Sequence, residues 1–131
     1  MKKERIAELK AFYHNSLLED IVPYWLNSDL VDPVYGGFIT SVDREGKQYN
    51  TDKSVWFQGR ALWTFSKLCN TYGENKQWRQ AADSGAEFIR KHCIDADGRM
   101  FFVVAQDGTP LRKRRYFFSE SFLESFKTGW L

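Results

Sequence analysis

The apolar periodicities of this chain predict an all-α scaffold in which paired helices carry short β-hairpins in their loops. Three observations lead there. Apolar residues recur at helical spacing in four stretches, and Gly- and Asp-rich segments containing short extended runs lie between them. The resulting order (helix, hairpin, helix, helix, hairpin, helix) is a repeat, with turn aspartates Asp43 and Asp107 standing 64 positions apart. Units of this kind bury their faces only by packing side by side. A chain of 131 residues has room for one domain of about 100–200 residues, so residues 1–131 are expected to form a single incomplete piece of a larger array.

The first helix is read from Ile6, Leu9, Tyr13, Leu17, Ile21 and Tyr24, spaced by 3 or 4. Pro23, which lacks a backbone donor, should kink it or change its character. The breakers Asp32-Pro33 and Gly36-Gly37 then lead into Phe38 to Val42, a turn at Asp43 to Gly46, and Lys47 to Tyr49, together a hairpin. Asn50, Thr51 and Asp52 are expected to cap the second helix, with Trp56, Arg60, Trp63 and Lys67 on one face and Phe57, Ala61, Phe65, Leu68 and Tyr72 on another. Gly73 ends it. A third stripe runs from Trp78 to His92, and its small residues Ala81, Ala82 and Gly85 permit a close neighbour. A second hairpin follows from Met100 to Arg114, turning at Gln106 to Thr109, and a fourth helix opens near Ser119.

Composition narrows the function. Nineteen basic and 17 acidic residues leave a net charge of +2, far from the basic excess that grips a phosphate backbone, so no nucleic-acid partner is expected. The run Arg112 to Arg115 reads as solvated hairpin. Aromatic residues make up 17% of the chain, which excludes a disordered tail. No apolar run approaches the ~18 residues of a membrane span, and no leader is read, so no membrane partner is expected. Cys69 and Cys93 are too few for a disulfide framework and fit free thiols in the reducing cytoplasm.

The most specific segment is Asn50 to Arg60. Trp56, Arg60 and Trp63 share a helical face, which places a guanidinium among indole rings that can stack on sugar faces while it holds oxygens. Alternatively, the rings are core and Arg60 reaches a surface carboxylate. Glu120 opens the fourth helix, where it either enters a cleft or complements the helix dipole. His14 and His92 lack companions at ligand spacing, so no metal site is expected, and nothing in the sequence calls for a cofactor.

Gly36-Gly37-Phe38, Asp43 to Gly46, Asp52-Lys53, Val55 to Arg60 with Trp63, and Phe118 to Phe122 together resemble the N-terminal part of N-acylglucosamine 2-epimerases, whose wider superfamily includes cellobiose 2-epimerases and aldose-ketose isomerases. The resemblance runs from about Leu9 to Phe122. It implies an (α/α)6 barrel, twelve helices in two rings, of which this chain holds about a third. It also implies C2 epimerisation of a sugar through an enediolate, with histidines on later helices as acid and base. His14 and His92 fall outside those catalytic positions. By the same resemblance Arg60 holds the reacting sugar's oxygens, and Trp56, Gln58 and Glu120 line the substrate. The expected partners are a small-molecule sugar and a further chain, identical or not, docking on the open helical edge.

Overall fold

The first apolar stripe folds as a rod in three geometries: α1 (Lys3–Asn15), a π-helical turn (Ser16–Ile21) and α2 (Val22–Asn27). The wide turn immediately precedes Pro23. Pro23 has no N–H to offer the preceding turn, and the π geometry accommodates its ring so the rod continues. The computed structural model describes residues 2–113 and 117–127. Arg114 and Arg115 of the basic run, and Thr128 to Leu131, lie outside the described residues. The stripe is packed over its second half, where Val22 is buried and Leu17, Leu18, Trp25 and Leu26 join the core. It is bare over its first half: no residue of α1 is buried, and Phe12 and Tyr13 are 63% and 66% exposed.

After a loop, β1 (Ser41–Val42) pairs antiparallel with β2 (Gln48–Asn50), and β3 (Lys53–Ser54) leads straight into α3 (Val55–Tyr72). Here the structure corrects the expected cap. Ser54 is the residue at the N-cap position of α3 and makes no side-chain cap, whereas Asn50 Oδ1 accepts from the Asp52 N–H in a local turn. Gly73, at φ 93°, ends α3. Asn75 then caps α4 (Lys76–His92) by accepting from the Gln77 and Trp78 N–H groups. The second hairpin, β4 (Val103–Val104) and β5 (Pro110–Arg112), joins β3 in a three-stranded sheet of order β3-β4-β5. The chain then enters α5 (Phe118–Lys127).

The core lies between α3, α4 and the first loop. Phe38 is fully buried and stacks on Phe65, ring centroids 5.8 Å apart. Gly85 makes this possible: a Cβ there would stand 2.4 Å from Phe38 Cε2. The small residues of α4 thus admit a loop phenylalanine. Cys93 is sealed in the same core, where burial pushes its thiol up to about 12.

The units repeat, but in a register of 62 rather than 64. Phe38 and Met100 form corresponding bridges, to Val31 and Ile94. The Ile39 N–H donates to the Leu30 carbonyl as the Phe101 N–H donates to that of Cys93. The turn closed by Asp43 N–H to Lys47 O and Gly46 N–H to Asp43 O recurs as Ala105 N–H to Thr109 O and Gly108 N–H to Ala105 O. Asp43 therefore corresponds to Ala105, not Asp107. Each aspartate folds its own turn from a different position, Asp43 Oδ1 accepting from the Glu45 and Lys47 N–H groups and Asp107 Oδ1 from Thr109.

A buried lysine ties the two units together just ahead of α3. Lys53 Nζ donates to Asp32 Oδ2 at 2.7 Å, to the Gly36 carbonyl at 2.7 Å and to the Gln106 carbonyl of the second hairpin at 2.8 Å, and it sits 4.2 Å from the Phe88 ring centroid. Both side chains are all but inaccessible, at 0% and 1%. Three acceptors satisfy the ammonium's three protons. Desolvation lowers the pKa of Lys53 below its ordinary value, against the pull of Asp32. Burial alone would raise Asp32, but the bond from Lys53 and the Val34 and Tyr35 N–H groups hold it below the ordinary 3.8.

Candidate functional site

The register of 62 aligns the openings of α3 and α5, so Trp56 corresponds to Phe118, Gln58 to Glu120 and Arg60 to Phe122. The first unit therefore provides a structural control for the second. Gln58 is fully buried and spans Phe38, its Oε1 accepting from the Phe38 N–H at 2.8 Å and its Nε2 donating to the Phe38 carbonyl at 2.7 Å. Glu120 occupies the same place against Met100: its Oε1 accepts from the Met100 N–H at 3.2 Å and from Arg99 Nε at 3.0 Å. A carboxylate has no proton to return to a carbonyl, and Glu120 Oε2 is buried without a partner. Burial raises the pKa of Glu120, and the Arg99 and backbone hydrogen bonds outweigh this, leaving it below the ordinary 4.5.

Both polar atoms of Gln58 are paired with the Phe38 backbone and closed to solvent. One oxygen of Glu120 is engaged by Arg99 and Met100 and the other is enclosed. These residues are clamps that hold each hairpin loop on the helix beneath it, and through it the opening turn of that helix.

Arg60 differs from its counterpart in kind. Phe122 packs into the chain, and a Cβ added to Gly59 would lie 3.1 Å from Phe122 Cβ. Arg60 is exposed instead, its guanidinium carbon 5.1 Å from the Trp56 ring centroid and 5.0 Å from that of Phe122. Trp56 in turn meets Phe118 at 5.9 Å and Phe122 at 5.6 Å. The expected sandwich between two indoles is thus a seat of one indole and one phenyl ring. Trp63 follows Arg60 by less than one turn, about 4.5 Å along the axis, and is 40% exposed. Among the described residues no carboxylate is within ion-pair distance of Arg60. On the α3 face opposite Gly59 it borders a cleft of about 170 Å³ walled by Leu17, Ile21, Trp25, Leu30 and Phe57.

Chemically, the arrangement holds a permanent planar cation on aromatic faces with its N–H fork left for oxygen acceptors. The histidines stand elsewhere. His14 packs edge-on to Tyr72 at 5.5 Å, and His92 lies on Phe88 at 5.0 Å beneath Gly108, where an added Cβ would stand 2.3 Å from its ring. Among the described residues no three His, Cys, Asp or Glu side chains gather as a metal site, and no helix is long and apolar enough to cross a membrane. Sequence reasoning missed Phe118 and Phe122 as walls, although their spacing of four repeats that of Trp56 and Arg60. It also missed Lys53 and Asp32, whose pairing across 21 residues leaves no local signal.

Paired helices with a hairpin in each loop are repeated side by side, with a ring-seated arginine at the mouth of one helix. Comparison with known proteins gives the family. Residues 37–124 match the family profile of N-acylglucosamine 2-epimerase (GlcNAc 2-epimerase), and the chain belongs to that family. It is 35% identical over 109 residues to human N-acylglucosamine 2-epimerase, covering 80% of this chain and 25% of the human protein. It is 25% identical over 116 residues to a cellobiose 2-epimerase of Bacteroides fragilis, covering 87% and 29%. The solved cellobiose 2-epimerase of Spirochaeta thermophila superposes with a TM-score of 0.84 at 27% identity, over 97% of this chain and 32% of that one. The fold is thus part of an (α/α)6 barrel, and the chain spans about a quarter of the length of the curated relatives it matches.

Proposed function

We propose that this chain is the N-terminal portion of a cytoplasmic sugar 2-epimerase or isomerase and supplies the cationic grip of its substrate site. The reaction removes the C2 proton of an opened aldose or N-acyl hexosamine, leaves an enediolate, and reprotonates C2 on the other face. Negative charge gathers on the sugar oxygens as the proton leaves. Arg60 is the group in this chain suited to hold it, a contribution of about 3–4 kcal/mol of barrier where such donors have been removed. Trp56 and Phe122 keep the guanidinium flat and partly desolvated, which strengthens its bonds to those oxygens.

The observation that carries this reading is Arg60 itself: exposed, seated on rings and without a carboxylate partner among the described residues, where the neighbouring unit has a packed phenylalanine. Proton transfer needs groups tuned near the working pH, and His14 and His92 are committed to packing away from Arg60. The chain by itself is therefore proposed to bind sugar without turning it over. Ligand-observed NMR with N-acetylmannosamine, mannose and cellobiose tests both parts in deuterated water. Binding without deuterium at C2 is expected; C2 exchange catalysed by this chain would overturn the assignment of the acid and base to other residues.

A second reading is a non-catalytic carbohydrate-binding or interaction fragment that works only with a partner chain. The bare stripe of α1, with Ile6 at 48% exposure beside Phe12 and Tyr13, favours it. A stable monomer without sugar affinity would remove this alternative.

A further inference from the structure

The two rings under Arg60 come from different places. Trp56 stands four residues back on α3, so helical spacing alone brings it there. Phe122 belongs to α5, and its place under the guanidinium depends on how α5 is set against α3. Gly59, which has no Cβ to hold Phe122 off, fixes how near α5 stands. It does not fix how α5 is turned, because apolar contact carries no direction. Hydrogen bonds do. Those that join the first unit to the second lie at the opening of α3, where Lys53 Nζ donates to the Gln106 carbonyl and the Val55 N–H to that of Phe102, both in the second hairpin segment. That segment is held in turn to α5, since Glu120 accepts from the Met100 N–H and from Arg99 Nε.

We infer that Lys53 is a positioning residue for Arg60: its buried ammonium sets the register between the opening of α3 and the second hairpin, and so brings Phe122 of α5 under the guanidinium. Lys53 does not touch the seat itself. Strand pairing leaves this register open, because β3 and β4 share only the pairs Lys53–Val104 and Ser54–Val103 and no turn joins them. A buried ion pair is weak evidence for stability, since neutral groups of similar volume often replace one without loss, and fixing a register is its best-attested use. Lys53 has the geometry for that use. Its three bonds go to separate segments, at Asp32, Gly36 and Gln106, and two of these acceptors are backbone carbonyls that a shifted hairpin or loop would carry out of reach.

The inference rests on the proposed function for what the positioning serves, while the positioning itself can be read without sugar. Lys53→Met combined with Asp32→Asn replaces the pair by neutral side chains of similar size and keeps an acceptor for the Val34 and Tyr35 N–H groups. NMR on this double variant should retain the NOEs from the Arg60 side chain to Trp56 and lose those to Phe122, under an unchanged circular dichroism spectrum. Lys113→Met, which removes the exposed ion pairs beside the same hairpin, should retain both sets. A double variant that keeps the Phe122 contacts, loses both sets alike or fails to fold overturns the inference. Titration with N-acetylmannosamine completes a cycle: the neutral pair should weaken binding about fivefold or more where Arg60 is present and change nothing further beside Arg60→Ala. Equal losses in the two backgrounds would show that Lys53 does not act through Arg60. An unaltered chain that binds no sugar contradicts the proposed function, and the NOEs still decide the role of Lys53.

Discussion

Residues 56–60 and 118–122 open equivalent helices in successive units, and they differ where chemistry enters. Trp56 and Phe118 are both aromatic and touch each other. Gln58 and Glu120 both hold a loop N–H, but only the amide closes the second bond. At the last position one unit has a phenylalanine packed on its neighbour and the other an exposed cation. The scaffold thus repeats its clamps and its packing, and carries an exposed arginine where the following unit has a packed ring.

A second contrast is between two lysines that do not correspond in the register of 62, Lys53 and Lys113. Lys53 is sealed under the second hairpin by the Gln106 carbonyl. Lys113 bridges Asp95 at 2.5 Å and Asp97 at 2.6 Å, with about a third of its side chain open to water. The first ion pair is covered by the next unit and the second is not. The largest expected effect follows from this. Lys53→Ala leaves Asp32 buried and unpaired and should cost about 3–5 kcal/mol in urea unfolding, whereas Lys113→Ala should shift the midpoint far less. Equal losses would mean that burial does not distinguish the two.

Exchanging the clamps sharpens the comparison. Gln58→Glu removes the donor to the Phe38 carbonyl and should cost about 1–3 kcal/mol. In the opposite direction, Glu120→Gln supplies the donor that the second clamp lacks, and its thermal midpoint should equal or exceed that of the unaltered chain, while Glu120→Ala lowers it. A Glu120→Gln variant as unstable as Glu120→Ala would show that the Arg99 bond, not the clamp, is what matters there.

The smallest effect is in acid. Asp32 titrates below 3.8 when folded, so the unfolded chain takes up its proton first. Its contribution is complete above 3.8 and disappears as pH falls through the folded value. Asp32→Asn should flatten that part of the stability profile at the cost of lower stability near neutrality. An unchanged acid limb would remove Asp32 from the account.

The helices were legible because their stripes are long and their ends carry chemistry, as at Gly73 and Pro23. Strand β3 was not, since two residues give no period and its partner β4 lies some fifty positions on. Asp43 and Asp107 misled the repeat by two residues because aspartate folds turns from more than one position. The pairing of both polar atoms of Gln58 with Phe38 was not legible, because a polar side chain carries no sign of a backbone partner twenty residues away. Arg60 was legible from its spacing to Trp56, whereas its second ring came from a helix sixty residues away.

The central claim is that position 60 serves a ligand and not the scaffold. Arg60→Phe, which gives α3 the residue that α5 has, tests it directly when sugar affinity by NMR titration and the thermal midpoint are measured on the same sample. The account predicts a midpoint held or raised and affinity lost by at least an order of magnitude. Unchanged affinity, or a variant that fails to fold, would contradict it.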